Sequence, residues 1–503
     1  MIRLRVLSVS VAWASLTLAV VWLVPPALGQ QDNAAQDSRA PEDPVQGIAA
    51  LEEATVSAIA EAERSVVAIA RVRRRENQPI DFSVSQFGRL QIAEQASPGT
   101  PEFIPNEYAT GVVVGAEGDI LTAHHVLQED CDYWVTTPDR KIHKVTRIKG
   151  ADPRSDLAVL QIDATGLTPI KFGDARGLKR GQFVIALGNP YAIARDGQAS
   201  ASLGIVANLT RKDGPTPEAR AQTAKQALHQ YGMLIQTDAR LNLGTSGGAL
   251  VNRKGEMVGL TVSLAAASGY EQSAGFAIPV DEAFLRAVKT LRQGGEVEYG
   301  FLGVAVGSLQ PEERRKGRFG VRVISVVSAT PAKRVGLMEQ DVITHVNGVE
   351  INDQDQFMLS VGKLPAESSA ILRVERDERP MVIVVDELSK YYVAGNKIVT
   401  SPRPAWRGMR VDHVTASRNF HNWTLSGQVD PQGSVLITEV EENSPAWKEG
   451  LRPDMMISHV AGTRVATPRQ FLDRVSGQDG PVKLRLNVRA DDRPERDIRP
   501  DAS

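Results

Sequence analysis

The chain has 503 residues, long enough for about three or four domains. Hydrophobic residues make up 42% and charged residues 23%, an ordinary globular balance. Lys+Arg number 58 against Asp+Glu 60, a net charge of -2 with no long basic run, so a nucleic-acid partner, which needs a concentrated positive surface, is not suggested. The single cysteine, Cys131, excludes an internal disulfide framework, and without a Cys/His cluster a structural zinc site is not expected.

At the N-terminus Arg3 and Arg5 precede an apolar run from Val6 to Val24, followed by small residues at Ala27 and Gly29. This is the pattern of an export signal over 1–29 with cleavage near Gly29. The run is also about long enough to span a bilayer, so an uncleaved anchor is the alternative reading. Residues 30–46 are polar and Pro-containing and read as a disordered linker. An Ala/Glu-rich pattern predicts a helix over 47–64, and Ser65–Ala70 reads as a strand. Residues 74–107 lack periodicity and read as a long surface loop. From 108 to about 280, short apolar runs broken by Gly, Asp and Pro predict an all-β barrel or sandwich. Residues 215–231 read as a helical insertion, and 281–293 as a helix closing the domain.

The C-terminal part repeats itself. An offset of 114 residues (Pro331 to Pro445) also pairs Gly336-Leu337 with Gly450-Leu451, His345-Val346 with His459-Val460, and Gln356-Phe357 with Gln470-Phe471. One gap-free register at so many positions means two tandem copies of a globular domain. The tail, 491–503, is charged and is expected to be disordered.

Three segments carry chemistry. Ile120–Val126 is an apolar strand ending in a turn that presents His125; Ser155–Leu160 puts Asp156 at the mouth of an apolar strand; Gln236–Leu250 holds Ser246 in a Gly-rich loop. A serine hydroxyl is a weak nucleophile, so an imidazole must take its proton during attack, and a buried carboxylate must fix that imidazole's tautomer. Glycines let the backbone around the serine turn so that two N–H groups converge on one point. Gly244 and Ser246 are the candidate donors of that oxyanion hole, a role worth about 3–4 kcal/mol per donor. Each segment alone is a common structural feature; together, in the order His–Asp–Ser at strand ends, they are a much stronger sign of nucleophilic catalysis by serine.

The same segments resemble the HtrA (Deg) family of trypsin-like serine proteases, with its Leu-Thr-x-x-His, Ser-Asp-Leu-Ala and Gly-Asn-Ser-Gly-Gly blocks. Gly275–Val280, Gly188-Asn189-Pro190 and Gly204–Val206 match it as well. The resemblance runs from about 50 to 488. It implies a mainly β fold: a chymotrypsin-like double β-barrel over 47–294, then two PDZ domains (β-sandwich-like α+β) over 298–388 and 404–490. It puts His125, not His124, at the catalytic position. Phe301, Leu302, Gly303 and Val304 resemble a PDZ carboxylate-binding loop, where a peptide C-terminus would add as a strand. Trp406–Val411 is the poorer second copy. Phe357 and Phe471 would either line the groove or simply fill the core. Two departures stand out. Thr245 replaces the usual Asn, away from the proton path. Arg240 replaces the usual Ala near the floor of the specificity pocket, where it would narrow the pocket or favour an acidic residue, unless it points to solvent.

The implied function is endopeptidase action on unfolded or misfolded exported proteins, in the periplasm or cell envelope, by a trimer-based homo-oligomer. No cofactor or metal is needed. The competing reading is a proteolytically silent PDZ scaffold or chaperone, for which a degenerate triad would be the expected signature.

Overall fold

A computed structural model describes residues 44–74, 82–84, 90–92, 98–100, 105, 107–189, 198–212, 227–262, 275–487 and 495–500. The expected signal over 1–29, nearly all of the 30–46 linker and residues 215–226 of the expected helical insertion lie outside this set.

Helix α1 spans Pro44–Ala62, and its Ala58 and Ala62 enter the core of the barrel region that follows. Six strands then form a first barrel: β1 (Val66–Arg73), β2 (Glu107–Gly115), β3 (Asp119–Ala123), β4 (Cys131–Thr136), β5 (Ile142–Asp152) and β6 (Leu157–Ile162). Their order is β5-β4-β1-β2-β3-β6, closed by pairing of β5 with β6. The apolar runs read in the sequence are buried throughout: Val112, Val113, Ile120, Leu121, Leu157, Val159 and Leu160 are all 0% exposed. Within the stretch expected to be a loop, Phe82–Val84 pairs with Leu90–Ile92 as a small hairpin.

A second closed barrel follows, of β7 (Phe183–Gly188), β8 (Ser200–Arg211), β9 (Leu234–Thr237), β10 (Ala249–Val251), β11 (Met257–Val262) and β12 (Gly275–Pro279), in the order β8-β9-β12-β11-β10-β7. Helix α2 (Glu282–Arg292) closes the domain. Asp281 caps it, its carboxylate accepting from the Phe284 N–H at 2.9 Å, and Phe284, Ala287, Val288 and Leu291 form its buried face. It returns to pack on β5 and β6 of the first barrel. Gly150 permits the approach, because a Cβ there would stand 3.1 Å from the Leu291 Cα.

Two copies of one small domain complete the chain. In the first, strands 304–308, 321–326, 342–346, 370–376 and 379–385 pair in that order; in the second, 409–413, 435–440, 456–460, 482–486 and 495–498 do the same. The offset of 114 is an offset of cores. Val321, Val323, Ala332, Ile343, Phe357 and Val361 are buried, and so are Val435, Ile437, Ala446, Ile457, Phe471 and Val475. Helix α3 (Gln354–Gly362) and helix α4 (Pro468–Val475) are equivalents. Near the start of the domains the offset falls to 105 (Gly303 to Gly408), and the second copy accommodates the difference in a segment carrying the helix Phe420–Leu425.

One expectation is corrected. The tail expected to be disordered contributes a strand, Glu495–Ile498, paired with Val482–Arg485. Charge dominates its composition, but alternation decides its structure: Ile498 points into the core at 0% exposure, while its neighbours face outward.

The segment joining the two copies does more than connect them. Ile398–Val399 pairs with Ala151 and Gly150 of β5, adding a seventh strand to the first barrel's sheet.

Candidate active site

The first barrel supplies two of the three candidate residues. Strand β3 ends at Ala123, and a single helical turn, His124–Val126, swings the next side chains out of the sheet. Asp156 immediately precedes β6 in a left-handed conformation (φ 58°) and is 5% exposed. Both carboxylate oxygens face one residue. The His125 backbone N–H donates to Oδ1 at 2.9 Å, and the ring Nδ1 lies 2.8 Å from Oδ2. A carboxylate only accepts, so Nδ1 carries the ring proton and Nε2 is left as an acceptor. Nε2 lies 3.2 Å from the Ser246 Oγ. The His125 side chain is 37% exposed, open to a substrate, whereas that of Asp156 is 7% exposed.

The electrostatics follow from this geometry. Burial alone pushes the Asp156 carboxyl up, but the His125 charge and hydrogen bonds, with a further pull from His229, outweigh it and hold Asp156 at about 2. Burial pulls the His125 imidazole down, and the Asp156 carboxylate more than reverses it, so His125 titrates above its ordinary 6.5. The turn before Asp156 is itself anchored. Asp152 Oδ2 accepts from the Ser155 N–H at 2.8 Å and the Ser155 hydroxyl at 2.5 Å, and the Tyr299 hydroxyl donates to the same oxygen.

The second barrel supplies Ser246, between β9 and β10. Thr245 holds the turn, its N–H and hydroxyl both donating to the Asn242 carbonyl at 3.1 and 2.7 Å. This is what the departure from the usual Asn does here: a short hydroxyl clamps the loop from inside. The first barrel then grips the loop. The Thr110 N–H donates to the Ser246 carbonyl at 2.9 Å and the Thr110 hydroxyl to the Gly244 carbonyl at 2.7 Å. Gly244 and Gly247 adopt φ of 95° and 84°. At Gly247 a Cβ would lie 2.3 Å from both the Thr110 carbonyl and the Thr122 hydroxyl, so only glycine lets the two barrels close on each other here.

The other expected residues are placed as follows. The Arg240 N–H donates to the Ser202 hydroxyl at 2.9 Å and the residue is exposed; among the described residues its guanidinium makes no ion pair. His124 faces the segment between the two C-terminal copies, with Nε2 3.0 Å from the Asn396 carbonyl. In the first copy, Ala332 N–H donates to the Leu302 carbonyl and Val327 N–H to that of Gly303. Gly303 (φ 89°) passes so close to Thr330 that a Cβ would sit 2.2 Å from the Thr330 Cβ. Phe301 packs against Tyr391 and Phe420. Phe357 belongs to the core and also borders the cavity beside the loop 300–304. Among the described residues no cluster of His, Cys, Asp and Glu could hold a metal ion.

Sequence reasoning missed the residues that position these groups: Thr110, Asp152, His229 and Tyr299. Thr110, His229 and Tyr299 have no local signal, since each acts on a partner distant in the chain; Asp152 acts on Ser155, three residues on.

A double barrel with a Ser–His–Asp constellation at its seam is the architecture of a trypsin-like peptidase. The family "Trypsin-like peptidase domain" matches residues 109–260, and "PDZ domain" matches 300–386. Among curated proteins, a probable periplasmic DegP-like serine endoprotease of Chlamydia trachomatis is 30% identical over 407 residues, covering 79% of this chain and 76% of the relative. Its namesake in Pseudomonas putida is 29% identical over 399 residues, covering 77% and 78%. Among solved structures, the HtrA-type protease AlgW with a decapeptide is 26% identical with a TM-score of 0.47, over 66% of this chain and 97% of that one. The chain belongs to the HtrA family of DegP-like serine endoproteases.

Proposed function

We propose that this chain is an exported, periplasmic endopeptidase that cleaves unfolded or misfolded proteins with His125, Asp156 and Ser246. The observation that carries the reading is the continuous relay of 2.8 Å from Asp156 Oδ2 to His125 Nδ1 and 3.2 Å from His125 Nε2 to Ser246 Oγ. Ser246 Oγ attacks the scissile carbonyl carbon as Nε2 takes its proton, and Asp156 stabilises the imidazolium. The carbonyl oxygen gains the negative charge, and the N–H groups of Gly244 and Ser246 stabilise it. Collapse of the tetrahedral intermediate breaks the C–N bond, and the imidazolium gives its proton to the leaving amine. Water, deprotonated by the same imidazole, then attacks the acyl-enzyme and releases Ser246. No step needs a nucleotide or a metal.

The names of the relatives support the periplasmic location and the class of reaction. The PDZ domains are read as binding peptide C-termini, the first through the loop Phe301–Val304. Domain limits at 47–294, 298–388 and 404–490 fit this division of labour. Trimer-based assembly is carried over from the family resemblance, and Arg240 stays a candidate for shaping substrate preference.

The test is casein degradation by the mature chain beside Ser246→Ala, with no nucleotide or metal added. Cleavage by wild type alone is expected. If neither cuts and Ser246 also resists an organophosphate probe, the scaffold reading replaces this one.

A further inference from the structure

The peptide groove of the first PDZ domain has one wall that does not belong to it. At its end, the loop Gly300–Val304, one side of α3 and Tyr391 enclose a cavity of about 30 Å³, and Arg154 of the protease domain reaches into it. Arg154 is 1% exposed and ranks among the largest fully buried side chains of the chain. Its guanidinium lies 3.8 Å from the Tyr391 ring centroid and 5.4 Å from that of Tyr299. A Cβ on Gly362, the last residue of α3, would stand 3.0 Å from Nη2, so glycine leaves the room that the guanidinium uses.

We propose that Arg154 is a direct ligand of the C-terminal carboxylate of a peptide bound in the first PDZ domain, so that the carboxylate subsite is shared between two domains. Three features converge. The cavity lies against the loop whose N–H groups are read as the carboxylate donors. Among the described residues that line it, Arg154 is the one charged side chain. The cavity's buried wall is thus a planar cation whose fork matches a carboxylate, and low dielectric strengthens its preference for an anion. A free carboxylate is therefore distinguished from an amide by a full charge as well as by N–H donors. The site also stands two residues before Asp156.

The proposal rests on reading this domain as a binder of peptide C-termini, and the test separates the two. Fluorescein-labelled peptides with aliphatic or aromatic last residues, each made as the free acid and as the amide, are titrated by fluorescence anisotropy. The protein is the full mature chain carrying Ser246→Ala, so that no peptide is cut. The free acids are expected to bind at least about tenfold tighter than the amides. Adding Arg154→Gln is expected to shrink that preference about tenfold while the amides change less than about twofold, and Arg154→Lys to recover part of it. A preference untouched by Arg154→Gln overturns the proposal and leaves the PDZ reading standing. So does an equal tightening of acid and amide, which would make Arg154 a plug rather than a ligand. Absence of any peptide binding by the parent chain overturns both, while casein cleavage by wild type still tests the endopeptidase separately. Should Arg154→Gln not fold, a crystal structure of the Ser246→Ala chain with a free-acid peptide decides. A guanidinium nitrogen within about 3.2 Å of a carboxylate oxygen is expected, and a gap beyond about 4 Å overturns the assignment.

Discussion

The two C-terminal copies share a core and differ at the loop that would bind a ligand. In the first, Phe301–Val304 borders a cavity, and among the described residues Phe301 and Val304 make no backbone exchange with each other. In the second, the equivalent loop folds onto itself: the Trp406 N–H donates to the Met409 carbonyl at 2.8 Å, and the Met409 N–H to that of Trp406 at 3.0 Å. Trp406 stacks edge-on against Phe471 at 5.8 Å. Arg407 donates to the carbonyls of Ile498, Gln478 and Gly480. The loop that borders a cavity in one copy is bonded to itself in the other. A repeated core secures a repeated fold; it does not secure a repeated site.

The comparison can be sharpened first in the cores. Phe357→Ala and Phe471→Ala should each cost about 3–5 kcal/mol in chemical denaturation of the affected domain. The second should cost more, because Trp406 loses its support as well. Equal costs, or a larger loss at Phe357, would mean that the Trp406 contact contributes nothing.

Next come the paired glycines. A Cβ at Gly303 would meet Thr330 Cβ at 2.2 Å, and one at Gly408 would meet Ser444 Cβ at 2.1 Å, both at positive φ. Gly303→Ala and Gly408→Ala should therefore destabilise their domains alike, by about 1–3 kcal/mol. Only Gly303→Ala should weaken peptide binding in anisotropy; a loss on Gly408→Ala would show that the second loop also binds. Arg407→Ala should cost the second copy about 1–3 kcal/mol through its lost carbonyl bonds, with peptide affinity unchanged.

A smaller effect concerns how the copies dock. Glu367 of the first faces His413, Arg403 and Arg469. Burial pushes its carboxyl up, but His413 and Arg403 outweigh burial and hold it at about 2. Its contribution is present above its unfolded value of about 4.5 and is lost as pH falls toward 2. Small-angle scattering should show the pair loosening in that window. A radius of gyration that stays constant until near-ultraviolet circular dichroism collapses would rule out a latch.

The smallest expected difference is none. The proposed mechanism needs neutral His125, which Asp156 holds above 6.5, so peptidase activity should fall as pH drops through a value above 6.5. Arg407→Ala should leave that acid limb in place. A displaced limb would mean that the second copy reaches the triad.

Much of this was legible beforehand because the signals are local. His125 follows an apolar strand, Asp156 and Ser246 precede one, and glycines surround the serine. The matched pattern 114 residues apart reports one core built twice, since every matched apolar residue answers to the same packing. The tail strand was misread because four residues with a single buried Ile498 carry too little periodicity to outweigh their charge.

What the sequence alone determined, then, is the succession of domains and the identity of the three groups that meet at the barrel seam. Only the tertiary structure decided what holds them in place and what lies next to them. Thr110 grips the Ser246 loop from 134 residues away, and the Asn396 carbonyl meets His124 across 272. Arg154 carries no local signal, and packing alone brings it to the cavity beside the loop 300–304. Periodicity and turn chemistry act over a few residues, so they can specify a strand and its end; which distant backbone a side chain will meet is settled only when barrels, helix and repeats pack together.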